Sequence, residues 1–251
     1  MLPTPDTSHV NFDTIYEPAE DSFLLLDTLS SPSEVQWLQY HFTNYTPLVV
    51  EVGTGSGVVI AFLAANADHI FGGPIASMGI DVNPNACAAT KQTVSAAVKD
   101  RASASCYLGS VNGDLCTMLY RGSVDVLVFN PPYVPSENLP ALPVVGNNYR
   151  DKFEHDSHLL SLSYDGGIDG METTNRLLAQ IPDVLSPDGI AYVLLCAQNK
   201  PDQVKVKIKS LLGGPWLVET VGSSGKKAGW EKLQIVRIWR RSRPELGQGP
   251  V

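Results

Sequence analysis

Asn130, Pro131, Pro132 and Tyr133 follow in succession a short β-branched run, VDVLVF at residues 124–129. That run has the length and composition of a buried strand. Two prolines can neither donate backbone hydrogen bonds nor continue a central strand, so the chain leaves the sheet here. In a parallel α/β sheet, ligands sit outside the carboxyl ends of strands. A side-chain amide, two donor-free prolines and an aromatic ring at that place suit a planar NH2 group. An amide nitrogen shares its lone pair with its carbonyl and is a poor nucleophile. A site that modifies it must hold both N–H protons and aim the nitrogen. The Asn130 side-chain oxygen is one acceptor and the Pro131 main-chain carbonyl a natural second. The Tyr133 ring can stack on the substrate and face a cationic group. Such a site works by orientation and needs no strong general base. Asn-Pro also opens ordinary turns, so these four residues alone leave a plain turn open.

A second constellation lies upstream. Residues 47–52 (PLVVEV) read as a strand, followed by Gly53-Thr54-Gly55-Ser56-Gly57 and an apolar helical stretch at 58–66. Glycines at a strand-to-helix turn permit positive φ and close ligand approach, and the helix N-terminal N–H groups face the ligand. The spacing is not a dinucleotide fingerprint, because position 58 is Val. No Gly-Lys-Ser/Thr occurs, which excludes a Walker-type phosphate loop. Glu51 sits on the strand just before the first glycine; a carboxylate there repels pyrophosphate and suits an ammonium or sulfonium group.

Two acidic residues follow. Residues 75–80 (IASMGI) form a second strand ending in Asp81, with Asn83-Pro84 opening a helix. An acid closing the second strand can bind both ribose hydroxyls; a helix cap at Asp81 or Asn83 is the structural alternative. A third strand, 103–108 (SASCYL), leads to Asn112-Gly113-Asp114-Leu115, where Asp114 can accept a bond from an adenine amino group. Asn-Gly-Asp is also an ordinary turn.

Taken together, the motifs resemble the S-adenosylmethionine-dependent class I methyltransferases. They are most similar to the HemK-like protein-glutamine N5-methyltransferases of the eukaryotic and archaeal release-factor type. The residues carrying the resemblance are Tyr16-Glu17-Pro18-Ala19-Glu20-Asp21-Ser22-Phe23, Glu51 to Gly57, Phe129 to Val134, and Gly166-Gly167-Ile168-Asp169-Gly170. The resemblance spans residues 12–243 and implies S-adenosyl-L-methionine as cofactor. It places Tyr16, Glu20, Ser22, Glu51, Gly53, Thr54, Gly55, Gly57, Asp81, Asp114, Leu115 and Asn130 at the donor, and Asn130, Pro131, Pro132 and Tyr133 at the substrate. The implied substrate is the Gly-Gly-Gln loop of the class I release factor, alone or presented with its GTPase partner. The resemblance also implies a heterodimer with a small zinc-binding activator subunit. Residues 135–163 depart from the family's pattern, and their Pro, Asn and charged content predicts a mobile substrate-facing lid.

Short apolar strands alternate with helix-like stretches from 47 to 202, which predicts an α/β, Rossmann-like fold with a mostly parallel seven-stranded sheet. Further elements are a helix at 18–29 broken by Ser30-Ser31-Pro32-Ser33, a helix at 171–185, a strand at 190–196, a helix at 200–212, and a closing antiparallel hairpin from 217–221 and 233–239. With 251 residues and 43% hydrophobic content, one methyltransferase domain with a substantial core is expected, its ends at 1–15 and 244–251 flexible. The strand at 103–108 falls at one edge of the sheet in this fold and carries no charge or proline, so it is the expected docking place for the activator.

No secretory pattern opens the chain, and the longest apolar runs of about eight residues are too short to span a bilayer. Cys87, Cys106, Cys116 and Cys196 show no metal-ligand spacing and read mainly as buried free thiols. His155 and His158 read as solvated residues and no metal is expected. A reduced, cytoplasmic enzyme, with or without a nuclear pool, is the expectation. Net charge is -8, and no Lys or Arg precedes Lys91 while ten acidic residues do. This electronegative half disfavours a phosphate backbone and suits a basic protein partner. The C-terminal basic cluster (Lys226, Lys227, Lys232, Arg237, Arg240, Arg241, Arg243) lacks interleaved aromatics for base stacking, Trp230 and Trp239 having strand-core neighbours. The alternatives are an adenine-N6 methyltransferase on DNA or RNA, a protein-lysine methyltransferase, for which no base is evident, and a catalytically silent scaffold subunit.

Overall fold

The computed structural model describes residues 2–43, 45–143, 151–211, 216–225 and 232–240. Strands β1 (Leu48–Val52), β2 (Ala76–Asp81), β3 (Cys106–Asn112), β4 (Val124–Phe129), β5 (Leu185–Cys196), β6 (Trp216–Ser223) and β7 (Leu233–Arg240) form one sheet in the order β3-β2-β1-β4-β5-β7-β6. The first five run parallel; β7 lies antiparallel between β5 and β6. The expected sheet and its antiparallel hairpin are present.

Strand order reverses between β1 and β4, and this topological switch point opens a crevice at the strands' carboxyl ends. Val52 stands beside Phe129 on these neighbouring strands, so Gly53 and Asn130 leave the sheet side by side. The central strands are apolar on both faces, as helices on both sides require. Val49, Val126 and Val128 face one core with Leu25, Ile60 and Phe62. Val50, Leu127 and Phe129 face the other with Leu177 and Ile181. The first face carries helices α1 (Glu20–Leu29), α2 (Pro32–His41), α3 (Val58–Ala65), α4 (Ala67–Phe71) and α5 (Pro84–Asp100). Helix α6 (Lys152–Ser161) precedes α7 (Glu172–Val184) and α8 (Pro201–Leu211). Every residue of α3 is buried, consistent with its lack of any polar side chain.

Several boundaries differ from expectation. Residues 103–105 precede β3 because the Ser103 hydroxyl donates to the Ala64 carbonyl (2.7 Å) and to Ser105 Oγ (3.1 Å), forming a local turn. Leu108 is the extra residue of a bulge between the rungs Ser77–Tyr107 and Met78–Gly109, and is 59% exposed. Helix α2 was not anticipated: Ser30-Ser31-Pro32-Ser33 does not simply end α1 but starts a new helix, with Ser31 as N-cap and Pro32 in its first turn. Cys106 is exposed, whereas Cys116 and Cys196 are buried.

The basic C-terminal cluster is not a single surface patch. Arg237 is 5% exposed and pairs through Nη1 with both oxygens of buried Glu34 (2.9 Å each), lying over the rings of Trp37 and Trp239 at 4.0 and 4.7 Å. Arg240 stacks on Trp216 and donates to the Pro182 carbonyl. Lys226, Lys227, Trp230, Arg241, Arg243 and the 244–251 tail lie outside the described residues. No helix among the described residues is long and apolar enough to cross a membrane.

Candidate active site

A cavity of about 260 Å³ occupies the switch point. Its floor is the turn after β1. Gly53 and Thr54 N–H groups donate to the Ile80 carbonyl at 2.7 and 3.3 Å, tying that turn to the end of β2. Glu51 is 2% exposed, and its Oε2 accepts from Ile60 N–H (3.0 Å) in the first turn of α3. One carboxylate oxygen therefore serves the helix N-terminus, a contact the sequence reading did not include. Burial pushes the Glu51 carboxyl well above its usual range; the Ile60 N–H opposes this and neighbouring Asp81 adds to it.

Asp81 closes β2 as expected. Its Oδ2 accepts from Gly55 N–H (2.9 Å) and its Oδ1 from Asn83 N–H (2.8 Å). The Val82 amide also bonds this carboxylate, which keeps acceptor capacity for a ligand hydroxyl. Burial raises the Asp81 carboxyl, with the Asn83 and Gly55 amides pulling the other way. Asn83 also caps α5, its side chain accepting from Asn85 N–H. Both readings of this corner hold at once. Among the described residues neither Glu51 nor Asp81 has an ion-pair partner. Two buried carboxyls with no ion-pair partner beside an open glycine turn suit a ligand that brings hydroxyls and a positive charge.

Tyr16, Ser22, Glu51, Gly53, Thr54, Gly55, Asp81, Asp114, Leu115, Asn130 and Pro132 all line the cavity. Glu20 does not: it is exposed, pointing outward from the first turn of α1. Gly57 also lies off the wall, a left-handed N-cap of α3 packed on Thr90 of α5. Asp114 is engaged in an ion pair with Arg176 of α7 that nothing in the sequence foretold.

The substrate side is built by the exit from β4. Asn130 donates through Nδ2 to Asp21 Oδ2 (3.1 Å), and its Oδ1 is buried with no hydrogen-bond partner. A buried acceptor left unmet is costly and marks a place where a ligand donor belongs. Tyr133 does not line the cavity; it packs on the core, and its hydroxyl lies 3.5 Å from the same Asp21 oxygen. In this structure the ring is partly buried against the core instead of facing the cavity, while Val134 beyond it is exposed. Pro131 is buried and likewise off the cavity wall.

The Gly166–Gly170 loop braces this exit. Val134 N–H donates to the Tyr164 carbonyl and Gly166 N–H to the Val134 carbonyl. A Cβ at Gly166 would strike the Pro132 carbonyl and one at Gly170 the Tyr133 carbonyl, so only glycine fits there. Asn199 Nδ2 donates to the Tyr133, Asp169 and Gly170 carbonyls, clamping loop and exit together. Asp165 on this loop lines the cavity, and burial raises its carboxyl. Within residues 135–163, Leu139, Pro140, Leu142, Leu159, Leu162 and Ser163 also line the cavity, with 144–150 outside the described residues. Asp21 and Arg176 are the residues that sequence reasoning missed. Asp21 lay in plain view within Tyr-Glu-Pro-Ala-Glu-Asp, whereas Arg176 carries no local signal.

A sheet with this strand order, holding an acid-lined glycine turn next to an Asn-Pro-Pro-Tyr exit, defines a Rossmann-like class I methyltransferase. The chain is 32% identical over 247 residues to the eRF1 methyltransferase catalytic subunit mtq2 of Schizosaccharomyces pombe, covering 96% of each. It is 33% identical over 251 residues to the methyltransferase HEMK2 of Homo sapiens, covering 94% of this chain and 95% of the relative. It belongs to the HemK-like protein-glutamine N5-methyltransferases of the release-factor type. No protein-family model matches it. Among solved structures its fold is similar to that of the E. cuniculi Mtq2–Trm112 complex, at a TM-score of 0.57 and 21% identity over 91% of this chain and 99% of that one.

Proposed function

We propose that this enzyme methylates the side-chain amide nitrogen of a glutamine in the Gly-Gly-Gln loop of the eukaryotic class I release factor, with S-adenosylmethionine as donor. The observation that carries the reading is the buried, unpartnered Asn130 Oδ1 at the wall of an acid-lined cavity. A primary amide offers the N–H that this oxygen lacks. The donor fits the residues present. Asp81 keeps acceptor capacity for ribose hydroxyls, Glu51 offers negative charge, and Gly53 and Gly55 leave backbone exposed to the cavity. When bound, S-adenosylmethionine supplies a methyl group on a cationic sulfur. The chain's own residues then orient and exclude water. Asn130 Oδ1 holds a substrate N–H and aims the nitrogen, Leu139, Leu142 and Leu159 keep the mouth apolar, and Asp21 fixes Asn130.

Charge favours a protein substrate over nucleic acid. Glu51, Asp81, Asp114 and Asp165 line the cavity, and Arg176 is its single cation among the described residues, already paired with Asp114. No free cation awaits a phosphate. We further infer a small activator subunit docked at the open edge of β3; the E. cuniculi fold neighbour Mtq2 is itself in complex with Trm112. The edge strand is uncharged, and Leu108 together with Met118 and Tyr120 of the segment that follows is 59%, 55% and 87% exposed. A release-factor substrate implies a cytoplasmic place of action.

The test is mass spectrometry of release factor incubated with enzyme and donor. A methyl mark on the Gly-Gly-Gln glutamine is expected, lost in Asn130→Ala with donor affinity nearly kept. A mark on lysine or on nucleic acid with glutamine unmodified overturns the reading.

A further inference from the structure

We propose that Asp21 is a positioning residue that sets the polarity of the amide site: its carboxylate turns Asn130 so that oxygen, not NH2, faces the substrate. The inference rests on the glutamine reading above. The two ends of a carboxamide have nearly the same shape, so packing does not choose between them. Their hydrogen-bond partners do.

Asp21 is 3% exposed, which removes water as a competing partner. Its Oδ2 lies 3.1 Å from Asn130 Nδ2 and 3.5 Å from the Tyr133 hydroxyl. Its Oδ1 accepts from Ser22 N–H (2.6 Å) and the Ser22 hydroxyl (3.3 Å). A carboxylate accepts only, so the group facing Oδ2 must be a donor. Turning Asn130 over would set two oxygens 3.1 Å apart and aim an NH2 at the substrate's own N–H. Asn130 Oδ1, buried and unpartnered, is kept as an open acceptor by the carboxylate behind the Nδ2 end.

The plain alternative is that Asp21 merely stabilises the first turn of α1, where a negative charge is favourable. The two roles rank substitutions in opposite order. In Asp21→Asn the side-chain oxygen stays where the Ser22 N–H needs it, so the new NH2 takes the place facing Asn130. Asn130 then turns its oxygen towards that NH2 and presents its own NH2 to the substrate. The isosteric change reverses the site. In Asp21→Ala nothing selects either orientation.

The experiment compares steady-state kinetics of wild type, Asp21→Asn and Asp21→Ala on a Gly-Gly-Gln peptide, with donor affinity from calorimetry. We expect kcat to fall ~100-fold in Asp21→Asn and only ~10-fold in Asp21→Ala, the scale for losing one oriented polar contact at a reacting centre. Donor affinity should be unchanged in Asp21→Asn. A second readout is competitive inhibition by the peptide carrying glutamate in place of the target glutamine. Its carboxylate only accepts, so its Ki should drop in Asp21→Asn relative to wild type. That readout decides the matter even when Asp21→Ala does not fold. A milder kcat loss in Asp21→Asn than in Asp21→Ala, or an unchanged Ki, overturns the proposal. Wild type that leaves glutamine unmodified overturns the function reading, and this inference with it.

Discussion

Gly57→Ala should damage the protein more than Gly55→Ala, although Gly55 touches the cavity and Gly57 does not. Gly57 has φ +79°, and a Cβ there would sit 2.6 Å from Thr90 Cα and 3.0 Å from Thr90 Cβ and Cγ2. The obstacle is helix backbone, so α3 and α5 must part. Left-handed backbone costs an alanine about 1–2 kcal/mol, and overpacking a close helix contact adds about 1–3 kcal/mol. The expected loss is thus roughly 2–5 kcal/mol of unfolding free energy. The same movement pulls on Thr90 Oγ1, which donates to Thr54 Oγ1 (2.9 Å) and the Gly55 carbonyl (3.3 Å), so donor affinity should fall too. Gly55 has φ +51°, but its added Cβ would meet only Ile15 Cγ2, at 4.0 Å. That substitution should cost about 1–2 kcal/mol from conformation alone. Denaturant unfolding of both variants, with donor titrations, measures the difference. Equal destabilisation, or the larger loss in Gly55→Ala, would show that the α3–α5 contact is not what requires glycine at 57.

Donor affinity should rise with pH through the window between the usual carboxylate range and the raised values of Glu51 and Asp81. In that window the folded apo protein holds protons the unfolded chain has lost, so its stability falls as pH rises, while a cationic donor binds the ionised pair and releases those protons. Calorimetry in two buffers of different ionisation enthalpy reads the release; affinity flat with pH would refute it. Arg237→Met should cost about 3–5 kcal/mol, because it leaves Glu34 buried with only the Tyr192 hydroxyl (2.8 Å), and donor affinity should persist in the folded fraction. Leu108→Pro should weaken the heterodimer and spare the donor site, since Leu108 has no rung on β2. Native mass spectrometry with the activator checks it, and a complex of wild-type strength would remove β3 as the docking edge.

What was legible in the sequence was whatever is encoded over a few neighbouring residues. Strand β4 at 124–129 and its abrupt end at Asn130 follow from β-branching and two prolines, and the acids at 51 and 81 from their places beside strand ends. Tertiary partners were not legible. Tyr133 reads as a stacking ring because aromatic residues often stack, yet its hydroxyl reaches Asp21, 112 positions earlier in the chain. Arg237 and Arg240 stand in the sequence only as members of a basic cluster, because nothing local announces Trp37, Glu34 or Trp216. Helix α2 was within reach: Ser31-Pro32-Ser33-Glu34 has the N-cap, first-turn proline and acidic residue of a helix start, but the Ser-Ser-Pro-Ser composition reads first as a break. The bulge at Leu108 had only Gly109 as a hint.

The rung that pairs Val52 with Phe129 has a mechanical meaning. The donor turn and the amide-holding residue hang from adjacent strands, locked at a separation set by backbone hydrogen bonding. No ligand can slide one against the other without tearing the centre of the sheet. Reach and alignment between the two reactants are thus constants of the scaffold, indifferent to which substrate arrives. Adaptation to a given partner has to be written elsewhere, in the cavity walls at 139–142 and at 159–165, where α6 ends. The chain separates an invariant gauge for the chemistry from an editable rim for the choice of target.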